Sequence, residues 1–183
     1  YLSSKVTYSY TEKPGVSGTI TTFLDNSDAA KFNRKIDNCR IYLENGDGID
    51  SLSWVGFADK NIDIVNGSVI ELKNICDFTY GDLNISDSTV TGIISGYFAG
   101  GDNAIVKNSV IDIECKDTID EWDSCGFYCY YDVTIENSKV KIVAQDDAIS
   151  CENFNLKDSE VYFKSVDGMN EVFGAMVLEY ADP

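Results

Sequence analysis

Apolar residues recur along this chain at fixed offsets from a short polar signal. Six segments each centre on Asn or Asp followed by a small residue: Asn38-Cys39, Asn66-Gly67, Asp87-Ser88, Asn108-Ser109, Asn137-Ser138 and Asp158-Ser159. Two residues before each anchor stand Ile36, Ile64, Ile85, Val106, Ile135 and Leu156, and three after it Ile41, Val69, Val90, Ile111, Val140 and Val161. Four before, the pattern continues with Ile62, Leu83, Ala104, Val133 and Phe154, broken only by Arg34; five after, it keeps Leu43, Ile113, Ile142 and Phe163. Apolar residues at alternate positions on both sides predict two short strands, each with one buried face. The anchor lies in the bend between them, where Asn, Asp and Gly tolerate left-handed backbone angles. Asn side chains can also bond to their counterparts up a stack.

Consecutive anchors are 28, 21, 21, 29 and 21 residues apart. A third strand is predicted nine residues before the later anchors, at Phe57, Phe78, Ala99, Tyr128 and Ile149. Three short strands per turn in register give an all-β solenoid of about 21-residue coils, about six to eight of them; hairpins would need tight reversals that this repeat lacks. An earlier coil is suggested at Ser17-Gly18 with Ile20 in the aliphatic column, behind an N-terminal capping segment. The whole chain, 1–183, therefore divides into a cap (1–16), stacked coils (17–165) and a C-terminal partial coil or cap (166–183), a single domain and a candidate fragment of a longer surface protein. The chain starts at Tyr1, so any export leader is expected to lie out of view.

The element I-x-I-x-N-S-x-V-x-I, over roughly residues 34 to 165, resembles the repeat of right-handed parallel β-helices of the pectate-lyase-like superfamily. The resemblance implies a stacked Asn ladder at one turn. It also implies polysaccharide as the ligand class, with activity left open. Pectin hydrolases of this fold carry Asp-rich segments, and Asp47 to Asp50 and Asp146-Asp147 look similar. Those two stretches lie four coils apart, roughly 19 Å at one strand spacing per coil. Paired glycosidase carboxylates need to sit within roughly 5–10 Å. The related lyases use a basic residue, commonly Arg beside calcium, and here Arg34 and Arg40 lie away from the acidic positions. No catalytic residue is expected.

Composition narrows the function further. Thirty-one acidic residues oppose fourteen Lys and Arg, for a net charge of −17, and there is no His. Such a surface repels nucleic acid and anionic lipid, and also serves solubility. Lack of His removes Ser-His-Asp and Cys-His catalysis and the usual zinc sites. No run approaches the ~20 apolar residues of a membrane span, so no membrane insertion is expected. The six Cys (Cys39, Cys76, Cys115, Cys125, Cys129, Cys151) lack paired C-x-x-C spacing and fit buried thiols, with disulfides as the alternative.

Two further alignments bear on binding. Nine residues after the anchors lie Asp47, Asp117, Asp146 and Asp167. The last three belong to successive coils and stack at about one strand spacing, ~4.8 Å. With Asp147 they form a candidate calcium site, since stacked carboxylates repel unless a cation lies between them; the competing reading is that each Asp caps its own turn. Trp54 and Trp122 both fall in the lengthened coils, 16 and 14 residues past their anchors, hence roughly 14 Å apart at one corner. With Tyr97 and Tyr128, and with Tyr130 and Tyr131 beside them, they are candidates for stacking against sugar rings; otherwise the Trp residues lid the core. The leading expectation is a non-catalytic carbohydrate-binding module of an extracellular or bacterial cell-surface protein, its glycan partner bound with calcium. A structural or adhesin spacer contacting other proteins is the alternative, and a polysaccharide lyase or hydrolase the second. Which glycan, and what oligomeric state, stay open.

Overall fold

The computed structural model describes residues 6–12, 19–20, 34–45, 61–75, 77–116 and 123–179. These are all-β, without helix, and build three sheets. The first holds Val6–Glu12, Cys39–Asn45, Val69–Ile75, Thr89–Ile94, Val110–Cys115, Lys139–Ala144 and Glu160–Ser165, side by side in chain order. The second holds Thr19–Ile20, Arg34–Asp37, Ile62–Val65, Leu83–Ser86, Ala104–Lys107, Asp132–Glu136, Asn153–Lys157 and Met176–Glu179, again in order. The third is shorter: Phe127–Tyr128, Ile149–Cys151 and Glu171–Val172, with Ala99 bridged to Phe127. From Arg34 onward every pairing is parallel, so each repeat lays its strands directly on those of the repeat before it. Each repeat is thus one layer of a stack.

The anchors behave as their chemistry requires. Asn38, Asn66, Asp87, Asn108, Asn137 and Asp158 all sit at positive φ, between 46° and 58°. An L-residue pays about 1–2 kcal/mol for that conformation unless a short polar side chain compensates, which selects Asn and Asp. The residues two before each anchor pair in one unbroken column from Ile36 to Leu156 and on to Leu178, as expected. Inward-facing residues of the three sheets form one contiguous apolar cluster.

What holds the bend itself is a serine ladder rather than an asparagine one. Cys39 N–H donates to Ser68 Oγ, Ser68 N–H to Ser88 Oγ, Ser88 N–H to Ser109 Oγ, Ser109 N–H to Ser138 Oγ and Ser138 N–H to Ser159 Oγ, all at 3.0–3.2 Å. Each hydroxyl in turn donates to a carbonyl of its own layer, as Ser109 does to Lys107 at 2.5 Å. Side-chain bonds between stacked anchors are fewer; Asn108 Nδ2 donates to Asp87 Oδ1 at 3.2 Å.

The structure corrects three expectations. Val69 is not in the aliphatic column: Ile70 pairs with Ile41 and Val90, and Val69 is only half-buried. Gly67 follows Asn66 at φ 77°, so this bend uses two left-handed residues and is one longer than the others. Asn74, at φ 55° beside the register shift between Lys73 and Ile75, is an extra residue at the far end of that strand. At the third strand, Phe78 stacks on Phe98 (ring centroids 5.2 Å) and Phe98 meets Phe127 edge to face (5.7 Å), with Ile149 paired to Phe127. Tyr128 was expected in that buried column but faces outward next to it; Phe57 lies outside the described residues. Finally, Thr19–Ile20 runs antiparallel to Arg34–Asp37, and Val6–Glu12 antiparallel to Cys39–Asn45. The N-terminal segments therefore fold back over the first layer, and Ile20 starts no parallel layer of its own. At the other end, Glu171–Val172 and Met176–Glu179 do add a partial layer in parallel.

The serine ladder makes a stability prediction. Ser109 is buried, and Ser109→Ala leaves the Ser88 N–H without its acceptor, which should cost about 1–3 kcal/mol. Ser159→Ala, at the less buried last rung, should cost less. Urea denaturation of both variants against the parent chain measures the difference.

Candidate functional site

The third sheet and the segments flanking it form the face on which the surface aromatics gather. Alternation along Phe127–Tyr128 sends Phe127 into the core and Tyr128 out. Tyr97, just before the buried Phe98, lies under it with ring centroids 5.6 Å apart, and Tyr80 lies 5.6 Å from Tyr97 in turn. The rings are tilted by 54° and 62°, edge toward face, the arrangement that ring quadrupoles favour. Gly100 makes room for them, since a Cβ there would come within 3.2 Å of the Tyr80 ring. Beside this row the chain bulges outward. Tyr128 pairs with Ser150 and Asp132 with Asn153, so four steps on one strand face three on its neighbour. The extra residue falls at Tyr130–Tyr131, which are 67% and 53% exposed.

Tyr97 is held from two sides. Its N–H donates to Oδ1 of the buried Asp77 at 2.8 Å, and its hydroxyl donates to Asp123 Oδ2 at 3.2 Å. Burial, and then the Asp123 charge, push its phenol well above the ordinary range, so it stays a neutral donor. The burial of Cys125 and Cys151 likewise lifts their thiols, to about 12 and about 11. Cys115, Cys125, Cys129 and Cys151 are buried free thiols, as the spacing suggested, and Cys39 is buried too; Cys76 lies outside the described residues.

The described aspartates expected to share calcium accept hydrogen bonds from neighbouring layers. Asp146 Oδ2 accepts the Ser124 N–H one layer below at 2.7 Å, and Asp147 Oδ1 accepts the Met169 N–H one layer above at 2.9 Å. Asp167 accepts the Gln145 side-chain amide. Gly168 permits the Asp147 bond, because a Cβ there would sit 2.6 Å from that same oxygen. Asp146 and Asp167 do stack in register, and desolvation together with Glu171, Asp146 and Asp123 raises the Asp147 carboxyl. Among the described residues no group of three or more Asp, Glu, Cys or His is placed to hold a metal ion. Asp117, Trp54, Trp122 and the Asp47–Asp50 stretch lie outside the described residues. Of the expected binding residues, the structure therefore brings Tyr97 and Tyr128 into contact and sets Tyr130 and Tyr131 beside them.

Two features of this face went unread in the sequence. One is an alternating column five residues before the anchors: Asn61, Asp82, Asn103, Asp132 and Asn153. Asn103 Nδ2 donates to Asp82 Oδ1 at 3.3 Å, and Asn153 Nδ2 to Asp132 Oδ1 at 2.8 Å. Asn61 Oδ1 accepts the Asp82 N–H at 3.1 Å, and Asn153 Oδ1 the Ala175 N–H at 3.0 Å. Alternating amide with carboxylate matches donors to acceptors and keeps like charges two layers apart. The constant offset was its signal. The other is charge segregation. Segments 77–82, 95–103, 123–132, 145–153 and 166–175 contain ten Asp and Glu and no Lys or Arg. Lys35, Arg40, Lys107, Lys116, Lys139, Lys141 and Lys157 lie on the first two sheets or at their strand ends, each within 4.0 Å of a carboxylate there.

Asp147 carries a pH prediction. Its raised carboxyl binds a proton more tightly in the folded chain than in the unfolded one, so its ionised form weakens the fold at neutral pH. Acidification from neutral toward the ordinary carboxylate range should relieve that penalty in the parent chain and leave Asp147→Asn without this component. Thermal melting of both proteins across that range measures it, the two curves converging as pH falls.

The chain matches no family model, no curated protein and no solved structure.

Proposed function

We propose that this chain is a non-catalytic, polysaccharide-binding segment of an extracellular or cell-surface protein. In this reading its parallel layers wind as a right-handed β-helix of the pectate-lyase-like kind. The observation that carries the proposal is the row of tyrosines: Tyr80, Tyr97 and Tyr128 from three successive layers, flanked by the exposed Tyr130 and Tyr131. A rigid aromatic strip offers apolar ring faces to the C–H faces of pyranose rings, while phenol hydroxyls and the nearby carboxylates offer bonds to sugar hydroxyls. Because the backbone that carries the strip is hydrogen-bonded from layer to layer, as in Phe78 N–H to Tyr97 O and Tyr130 N–H to Gly101 O, little order has to be gained on binding.

Calcium belongs to the proposal as a separable part. The supporting observation is the crowding of Asp146, Glu171 and Asp123 around Asp147, whose carboxyl is raised first by burial and then by these charges, with no basic residue in those segments. A second reading, a structural segment that contacts other proteins, is favoured by the open C-terminal layer, where Phe173, Met176 and Leu178 are 72%, 57% and 51% exposed.

On a glycan array followed by calorimetry, the parent chain should bind at least one polysaccharide class. Tyr128→Ala combined with Tyr130→Ala should weaken it about tenfold or more, while Tyr162→Ala, exposed on the first sheet, should not. Absence of binding to every glycan, together with concentration-dependent self-association, would replace this reading with the structural one. For calcium, the ion should raise the parent's melting temperature, and Asp146→Asn with Asp147→Asn should abolish the increase; identical melting with calcium and with chelator removes the metal from the reading.

A further inference from the structure

We infer that the ligand of the tyrosine face is a cationic glycan, a polymer of hexosamines with free amino groups, rather than a neutral or uronic-acid polymer. This rests on the polysaccharide reading above and narrows it.

The inference comes from how charge is divided over the molecule. On the first two sheets basic and acidic side chains interleave and pair, as in Lys107–Glu136 at 2.6 Å and Lys141–Asp112 at 2.8 Å. Among the described residues, the face bearing the tyrosines has acids only. Asp123 meets the Tyr97 hydroxyl, while Asp146 and Asp147 follow on the next layer and Asp167 on the one after. An overall charge of −17 makes the whole molecule attract cations and repel polyanions, and carboxylates such as Asp123 beside the aromatic strip bring that effect to it. Aromatic ring faces add to it, because their quadrupole attracts an ammonium group lying over the ring. A uronic-acid polymer would bring like charge against this surface.

Periodicity favours a glycan over a basic peptide. The tyrosine rings follow one another layer by layer at 5.6 Å, with the Asp123 carboxylate at the Tyr97 hydroxyl. A polymer of flat rings matches that repeat and carries its ammonium groups along it. A peptide with clustered Lys or Arg supplies the charge without the repeating ring.

The test uses the full chain in the presence of a chelator, at mildly acidic pH where hexosamine amines are protonated. Calorimetric titrations compare a β-linked glucosamine hexamer, its fully N-acetylated form, a galacturonate hexamer and hexa-lysine, each at low and raised salt. The glucosamine hexamer should bind about tenfold or more tightly than its acetylated form and weaken as salt rises. The galacturonate hexamer should not bind, and Asp123→Asn should weaken the glucosamine hexamer several-fold. Equal affinity for the charged and acetylated hexamers would overturn the charge assignment and leave the polysaccharide reading standing. Stronger binding of galacturonate would overturn it in the same way. Hexa-lysine binding as tightly as the glucosamine hexamer would show a generic polycation surface and overturn the glycan assignment. No binding by any of the glycans would remove both.

Discussion

Everything in this molecule answers to one constraint: parallel strands stacked in register set each side chain about 4.8 Å from its counterpart in the layers above and below. A position is therefore acceptable only if its residue is compatible with a neighbour of the same kind. Aliphatic residues meet that condition at once, which is why the columns through Ile36 and Ile41 run the length of the stack. Serine meets it by being donor and acceptor together. Each hydroxyl takes an N–H from one layer and gives its proton to a carbonyl of its own, so the bend repeats without an unsatisfied group.

Charged residues cannot repeat so freely, and the chain answers in two ways. At the corner leading into the second sheet it alternates Asn with Asp, so that amide donors face carboxylate acceptors. On the outer surfaces of the first two sheets it sets Lys or Arg near Asp or Glu of a neighbouring layer, as in Arg40 with Glu71 and Lys141 with Asp112. Exposed pairs of this kind add little stability, and their value here is to relieve repulsion between stacked like charges. The tyrosine face has the Asn–Asp column at its edge but, among the described residues, no Lys or Arg in its segments. Asp146 and Asp147 accept backbone N–H groups, and burial, together with the charges of Glu171, Asp146 and Asp123, raises the Asp147 carboxyl. Among the described residues the fold thus pairs its charges on two sheets and gathers acids beside the tyrosines on the third.

The bulge at Tyr130–Tyr131 shows how that surface is made without disturbing the core, and the two-residue bend at Asn66-Gly67 does the same at the corner between the first two sheets. An added residue at a corner is absorbed locally, because the next inward position is restored one residue later. Tyr130 and Tyr131 lean into solvent while Val133 returns to its column over Ala104.

What the amino-acid sequence determined by itself was the repeat: six left-handed Asn or Asp bends, the aliphatic columns beside them, and parallel pairing of successive segments. These are local choices of backbone angle and apolarity, and local chemistry specifies them. Tertiary structure alone decided matters of exact register. Counting at a constant offset placed Val69 where Ile70 lies and Tyr128 where Phe127 lies, because bends differ by one residue and a one-residue slip exchanges inside for outside. It also decided that Thr19–Ile20 folds back antiparallel, which a single aliphatic residue cannot reveal. Of the candidate site, Tyr97 and Tyr128 were legible as aromatics near one corner, but Tyr80, Asp123 and the purely acidic character of that face were not. Their offsets from the anchors differ from layer to layer, and only the stacked backbone brings them to one surface.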